Sequence, residues 1–153
     1  MQDVILASDH RGYALKIKIK ELLREMKYFC IDMGVDSAAN PNDGDLIPPI
    51  IKVVKEGAEC VKSAKHFCGI FICGSGVAMT IAANRFKGIR AASCHTVDEV
   101  REGRQHNDIN VLCLGGDTID FETAKKLVNV FLNTKPLDVV RYKRRQECFD
   151  TMA

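Results

Sequence analysis

The 153-residue chain carries almost no net charge: 22 basic against 20 acidic side chains leave a surplus of two. Nucleic acid and anionic membranes attract proteins through a large basic field, so neither is expected as a partner and small ligands are. No two of the seven cysteines, at 30, 60, 68, 73, 94, 113 and 148, are three apart, and their number is odd. That excludes a Cys-x-x-Cys zinc or redox motif and argues against a disulfide scaffold, so no metal site is expected. Free thiols inside apolar runs behave as small hydrophobes and suit a reducing compartment, which makes the cytoplasm the expected location. The beginning of the chain lacks the basic segment and the apolar length of an export signal. The one long uncharged run, 67–84, is split by Gly74-Ser75-Gly76 and reads as strand, loop and helix rather than as a membrane span. Repeats, low-complexity segments and linkers are also missing, so residues 1–153 are read as one domain. A chain of this size buries about two thirds of its unfolded surface and needs no covalent staple.

What is present is a regular alternation. Short apolar runs at 4–7, 29–33, 67–73, 89–94 and 110–114 read as buried strands, each followed by a stretch able to form a helix. Leu15, Ile19, Leu22, Leu23 and Met26 share a helical face, although residues 15–20 also alternate with the period of a strand. Helix is preferred because the gap must carry a crossover. In the next connection Ile47, Ile50, Ile51, Val54, Ala58 and Val61 have helical spacing, with Pro48 and Pro49 acceptable only in the first turn. Ala124, Leu127, Val128, Phe131 and Leu132 line one side of a helix over 120–133, which Pro136 ends. Strands apolar on both faces that alternate with helices imply an α/β fold. The expected form is a doubly wound, five-stranded parallel sheet of the flavodoxin-like, three-layer kind. Ligands of such sheets bind beyond the carboxyl ends of the strands. Those ends are Ser8-Asp9-His10, Cys73-Gly74-Ser75-Gly76 and Gly115-Gly116-Asp117.

Gly74-Ser75-Gly76-Val77-Ala78-Met79 stands between a strand and a helix, where glycines let backbone N–H groups turn towards an anion. It has neither the third glycine of a dinucleotide fingerprint nor the Gly-Lys-Ser/Thr ending of a P-loop, so a nucleotide is not expected. Its plain alternative is a tight turn that binds nothing. Cys73, just before that turn, occupies the kind of position where a thiolate becomes available as base or nucleophile; the alternative is one more core cysteine. Asp9-His10 reads as a capping pair or an acid–base pair. Arg104-Gln105-His106-Asn107-Asp108 packs five polar side chains ahead of the fifth strand, with a solvated loop as the plain reading. Arg141, Lys143, Arg144 and Arg145 form the one basic cluster, either a solvent-facing helix or part of a site for a phosphate-sized anion.

Together, Ser8-Asp9-His10-Arg11-Gly12, Ile72-Cys73-Gly74-Ser75-Gly76-Val77, Ile81-Ala82-Ala83-Asn84, Gly88-Ile89-Arg90-Ala91-Ala92 and Arg104-Gln105-His106-Asn107-Asp108-Ile109-Asn110 resemble ribose-5-phosphate isomerase type B. The family also holds the galactose-6-phosphate isomerase subunits, and the likeness runs over nearly the whole chain. The resemblance implies an aldose–ketose isomerase that interconverts ribose 5-phosphate and ribulose 5-phosphate without metal or organic cofactor. A base takes the proton from carbon 2, a cis-enediolate forms, and the proton returns to carbon 1. By the same resemblance Cys73 is the base, the N–H groups of Gly74, Gly76, Val77 and Ala78 face the enediolate oxygen, and Ser75 moves protons between oxygens. Asp9 and His106 assist ring opening, Asn107 holds the sugar, and His10, Arg141 and Arg145 hold the phosphate. The site is then shared between subunits of a homodimer or tetramer, His106, Asn107 and the basic segment serving a partner's pocket.

Three positions depart from the family pattern. Leu46 replaces a tyrosine beside the sugar, Ala78 replaces a glycine after the loop, and Asp117 stands where many members place an arginine that reaches phosphate. An Asp there turns attraction into repulsion, on the order of several kcal/mol at about 4 Å and an effective dielectric of about 20 before screening. Either Arg141, Arg144 and Arg145 compensate, or the substrate is another sugar phosphate, of the hexose 6-phosphate type. A non-catalytic sugar-phosphate sensor is the alternative from another class. A phosphoacceptor receiver needs an Asp and a Lys where Cys73 and Asp117 stand.

Overall fold

Strands β1 (Asp3–Ser8), β2 (Cys30–Gly34), β3 (Phe67–Cys73), β4 (Ala91–Ser93) and β5 (Val111–Gly115) form one parallel sheet in the order β2-β1-β3-β5-β4. The structure is a computed structural model and describes residues 3–35, 47–63 and 67–152. Helices α1 (Tyr13–Glu25), α2 (Ile47–Ser63), α3 (Val77–Ala83), α4 (Val97–Asn107), α5 (Phe121–Asn133) and α6 (Val140–Thr151) complete the described elements. The uncharged run 67–84 is strand, loop and helix, and no helix among the described residues is long and apolar enough to cross a membrane.

Alternation along each strand sends side chains to two separate cores, as a doubly wound sheet requires. Val4, Leu6, Ile70, Ile72, Leu112 and Leu114 pack against Leu15, Ile19 and Leu23 of α1 and Ala124, Leu127, Val128 and Phe131 of α5. On the other face Ile5, Ala7, Phe71, Cys73, Val111 and Cys113 meet Val54, Ala58 and Val61 of α2 and Met79 and Ala83 of α3. A fully buried aliphatic or aromatic side chain of this kind stabilises the fold by about 1.5–3 kcal/mol. The doubly wound parallel sheet matches the reading from sequence, but its last two strands are exchanged relative to the simple flavodoxin order. β5, buried along its whole length, takes the place beside β3. β4, with three half-buried residues, is left on the edge. The burial of each strand decides this: a fully apolar strand gains from two neighbours and a short one loses little at an edge.

The period-two stretch at 15–20 is helical, and one of its lysines is a structural residue. Lys16 is 1% exposed, and its Nζ donates to Asp32 Oδ1 at 2.8 Å and to the Val35 carbonyl at 2.7 Å. Lys20 Nζ donates to the other oxygen of Asp32 at 2.6 Å. Burial pushes the Asp32 carboxyl up, but the two ammonium groups outweigh it and hold it below the ordinary carboxylate value. Pro48 and Pro49 lie in the first turn of α2, while Leu46 and the side chains of Ile47, Ile50 and Ile51 lie outside the described residues.

Candidate functional site

Cys73 ends β3 and is 3% exposed. The chain then turns sharply into α3 through Gly76, whose φ of +80° is a left-handed conformation that an L side chain resists. The turn brings the Gly76 N–H to 3.2 Å from Cys73 Sγ, so the sulfur accepts a backbone hydrogen bond. Among the other thiols, Cys68 Sγ donates to the Asp3 carbonyl at 3.7 Å. Burial pushes Cys68 and Cys113 up to about 12, and Cys30 and Cys94 up to about 11. An acceptor role at a strand end is what a thiolate base needs. The amide loop is also less open than the sequence suggested, because the Gly76 N–H is engaged by the sulfur and that of Val77 lies 3.4 Å from Ser75 Oγ. Ser75, Val77 and Ala78 are exposed; Gly74 and Gly76 are buried.

The loop after β1 lies alongside. Asp9 is 7% exposed, its N–H donates to the Ile72 carbonyl at 3.1 Å, and its Oδ1 accepts the Gly12 N–H at 2.9 Å. One carboxylate oxygen thus performs the capping role. His10 Nδ1, Ser8 Oγ and Ser93 Oγ are buried atoms with no partner, all three at or just past the carboxyl ends of β1 and β4. Buried polar atoms without protein partners are rare in folded proteins, and three of the four found among the described residues gather here, the fourth being Gln146 Nε2 on α6. The loop after β5 closes the third side. The Gly116 N–H donates to the Cys73 carbonyl at 2.7 Å and that of Asp117 to the Gly74 carbonyl at 3.0 Å. Asp117 does not stand alone, because its Oδ2 lies 2.5 Å from Arg11 Nη2.

The remaining candidates occupy another corner. Thr96 and Glu99 form a capping box that starts α4, and Asp108, at φ +47°, ends it, so His106 and Asn107 belong to a helix rather than to a solvated loop. Arg104 is a structural residue: 4% exposed, it donates to Asp108 Oδ1 at 2.8 Å and to the Thr134 carbonyl at 3.2 Å. His106 stacks on Tyr142 of α6 with ring centroids 4.6 Å apart. The same ring carries the guanidinium of Arg141 at 4.7 Å and that of Arg145 at 5.7 Å, and Arg141 Nη2 donates to its hydroxyl at 2.8 Å. Arg145 Nη1 donates to Asn107 Oδ1 at 3.2 Å. One buried aromatic ring therefore gathers His106, Arg141 and Arg145, while Asn107 is held by Arg145.

The structure brings Asp9, His10, Cys73 and Ser75 together at one edge of the sheet and His106, Asn107, Arg141 and Arg145 together elsewhere. Among the described residues no hydrogen bond or ion pair joins the two groups. Topology explains the gap: α4 leaves the carboxyl edge after β4 and returns to the amino edge before β5. Its eleven residues span about 16 Å, which puts its last turn far from Cys73 of the same chain. Sequence reasoning missed Tyr142, whose neighbours Arg141 and Arg145 drew attention to charge, and Arg11, which lay inside a matched motif. No group of His, Cys, Asp and Glu among the described residues has the arrangement to hold a metal ion.

Comparison with known proteins places the chain in a family. The family profile described as Ribose/Galactose Isomerase matches residues 4–148. Ribose-5-phosphate isomerase B of Escherichia coli is 34% identical over 135 residues, 88% of this chain and 86% of its own length. D-erythrulose-4-phosphate isomerase of Pectobacterium atrosepticum is 30% identical over 136 residues, 88% of this chain and 85% of its own. The crystal structure of a ribose 5-phosphate isomerase from Thermotoga maritima superposes with a TM-score of 0.87 at 36% identity, covering 97% of each chain.

Proposed function

The chain belongs to the ribose/galactose isomerase family and is a sugar-phosphate isomerase, and from that premise we propose that it interconverts ribose 5-phosphate and ribulose 5-phosphate with Cys73 as the base. The observation that carries this reading is the buried Cys73 sulfur that accepts the Gly76 N–H at 3.2 Å at the end of β3. As thiolate it removes the proton from carbon 2 of the open-chain aldose, and the electron pair moves to give a cis-enediolate. The thiol then returns the proton to carbon 1, leaving the ketose. First-turn amides of α3 that lack an intrahelical acceptor, such as that of Ala78, face the developing oxyanion. Ser75 Oγ exchanges the hydroxyl protons. Asp9 and His106 open the ring, Asn107 holds the sugar, and His10, Arg141 and Arg145 take the phosphate.

In this reading His106, Asn107, Arg141 and Arg145 reach the Cys73 pocket of a second copy. Exposed apolar side chains support that: Val77 and Ile81 on α3 beside the Cys73 loop are 54% and 57% exposed, and Val140 and Met152 on α6 are 73% and 81% exposed. Such surface on both halves suits burial between copies. A second reading, with a sugar phosphate of different length as substrate, is favoured by the Pectobacterium atrosepticum relative, a D-erythrulose-4-phosphate isomerase.

The test is turnover of ribose 5-phosphate in deuterated water, followed by NMR. Deuterium at carbon 1 of the ketose, and loss of both exchange and turnover in Cys73→Ala, is the expected result. Full turnover in Cys73→Ala refutes the role of the thiol. Turnover of a tetrose or hexose phosphate in preference to ribose 5-phosphate selects the second reading.

A further inference from the structure

The loops after β1, β3 and β5 meet at Gly74, and a charged pair fills the space where a side chain at that residue would stand. A Cβ there would lie 2.8 Å from Arg11 Cζ, 2.9 Å from Arg11 Nε and 2.8 Å from Asp117 Oδ2. The Arg11 guanidinium therefore rests directly on the backbone between Cys73 and Ser75, and Asp117 grips it through Nη2 at 2.5 Å. Stability alone does not explain the arrangement. The side chains are 62% and 44% exposed, and a solvent-exposed ion pair contributes little. Arg11 follows His10, whose buried Nδ1 has no partner. A guanidinium offers five N–H donors in a planar fork, and the carboxylate uses only part of it. Among the described residues Arg11 has Asp117 as its one ion-pair partner, which leaves the rest of the fork open above the loop.

We infer that Arg11 is a substrate-binding residue that takes the phosphate of the sugar, and that Asp117 is its positioning residue. The inference rests on the isomerase reading above. It revises the effect expected of Asp117: its charge is neutralised by Arg11, and its function is to hold the guanidinium over Gly74 instead of repelling the anion. A carboxylate on one edge of the fork leaves the other edge for two phosphate oxygens, the bidentate geometry that guanidinium recognises.

Three variants of the full chain, Arg11→Ala, Asp117→Asn and the double change, test this with two readouts. The first is KM and kcat for the sugar phosphate that the wild type turns over. The second is binding of inorganic phosphate by calorimetry, which does not depend on catalysis. Arg11→Ala is expected to raise KM and the phosphate dissociation constant by about tenfold, with kcat within about twofold. Asp117→Asn is expected to raise both constants by about threefold in the wild type and to leave them unchanged in the Arg11→Ala background, because its effect passes through Arg11. Constants within twofold of wild type in Arg11→Ala, or a wild type that binds no phosphate, overturn the role of Arg11. An Asp117→Asn effect of equal size in both backgrounds, or a gain in affinity, overturns the positioning role. A wild type that turns over no sugar phosphate defeats the isomerase reading, while phosphate calorimetry still decides the role of Arg11.

Discussion

The edge of the sheet that holds Cys73 and the corner that holds His106 are built by opposite means. At the edge, strand ends and glycine turns do the positioning: Cys73 Sγ is met by the Gly76 N–H, Asp9 by the Gly12 N–H, and the Cys73 carbonyl by Gly116. At the corner, the half-buried His106 and the exposed Arg141 and Arg145 are gathered on one ring, Tyr142, which is 8% exposed. Among the described residues the edge has three of the four buried side-chain polar atoms without a partner, the fourth being Gln146 Nε2 on α6, and the corner has cations turned to solvent. The lesson is that one chain holds two groups of candidate site residues, fixed by backbone in one case and by side-chain stacking in the other, and that α4 separates them.

That contrast can be broken first at the edge. Cys73→Ala is expected to lower kcat by about 10²–10⁴ while circular dichroism and melting temperature stay near wild type, since the change removes one small buried atom. Retained activity would remove the edge from the chemistry. The corner should respond in a graded way. Tyr142→Ala is expected to cost about tenfold in kcat/KM by releasing His106, Arg141 and Arg145 together, and Tyr142→Phe only about twofold, because the ring stays and one hydrogen bond is lost. Equal losses in the two variants would make the hydroxyl, not the ring, the organiser.

The smallest effect on activity belongs outside both regions. Asp32→Asn is expected to leave kcat/KM within about twofold but to lower stability by about 3 kcal/mol in urea, because it leaves the buried Lys16 ammonium with neutral carbonyl acceptors and no counter-charge. Asp32 has a native pKa below its unfolded value near 3.9, so its contribution is present above that pH and is lost as pH falls through the lower native value. The stability gap between wild type and Asp32→Asn should therefore narrow below about pH 4. A gap that stays constant from neutral to acid would show that the pairing with Lys16 and Lys20 is not its source.

The edge was the more legible region because its signals are local. Apolar runs that end in Ser8-Asp9-His10 and Cys73-Gly74-Ser75-Gly76 announce strand ends and turns, and parallel topology sends them to one side. The corner and the strand order depend on packing between distant segments. Nothing in 104–108 says that these residues close a helix, since Asp108 as its cap is recognised only once its left-handed backbone is seen. The exchange of β4 and β5 follows from burial that a list of apolar runs does not rank. Lys16, in a stretch with two periodicities, is buried because Asp32 and the Val35 carbonyl meet it, and those partners are sixteen or more residues away. Arg11 and Asp117 are 106 positions apart by number and became a pair only when three loops converged on Gly74.

The sharing of a site between two copies is tested most directly by complementation. Cys73→Ala and His106→Ala chains, each inactive or nearly so alone, are co-expressed with different affinity tags, and the mixed oligomer is isolated through both. In a mixed dimer one of the two sites keeps an intact thiol and an intact imidazole, so about half of wild-type turnover should return. A mixed oligomer as inactive as its parents would contradict the account, because it would place Cys73 and His106 in service of the same pocket from the same chain.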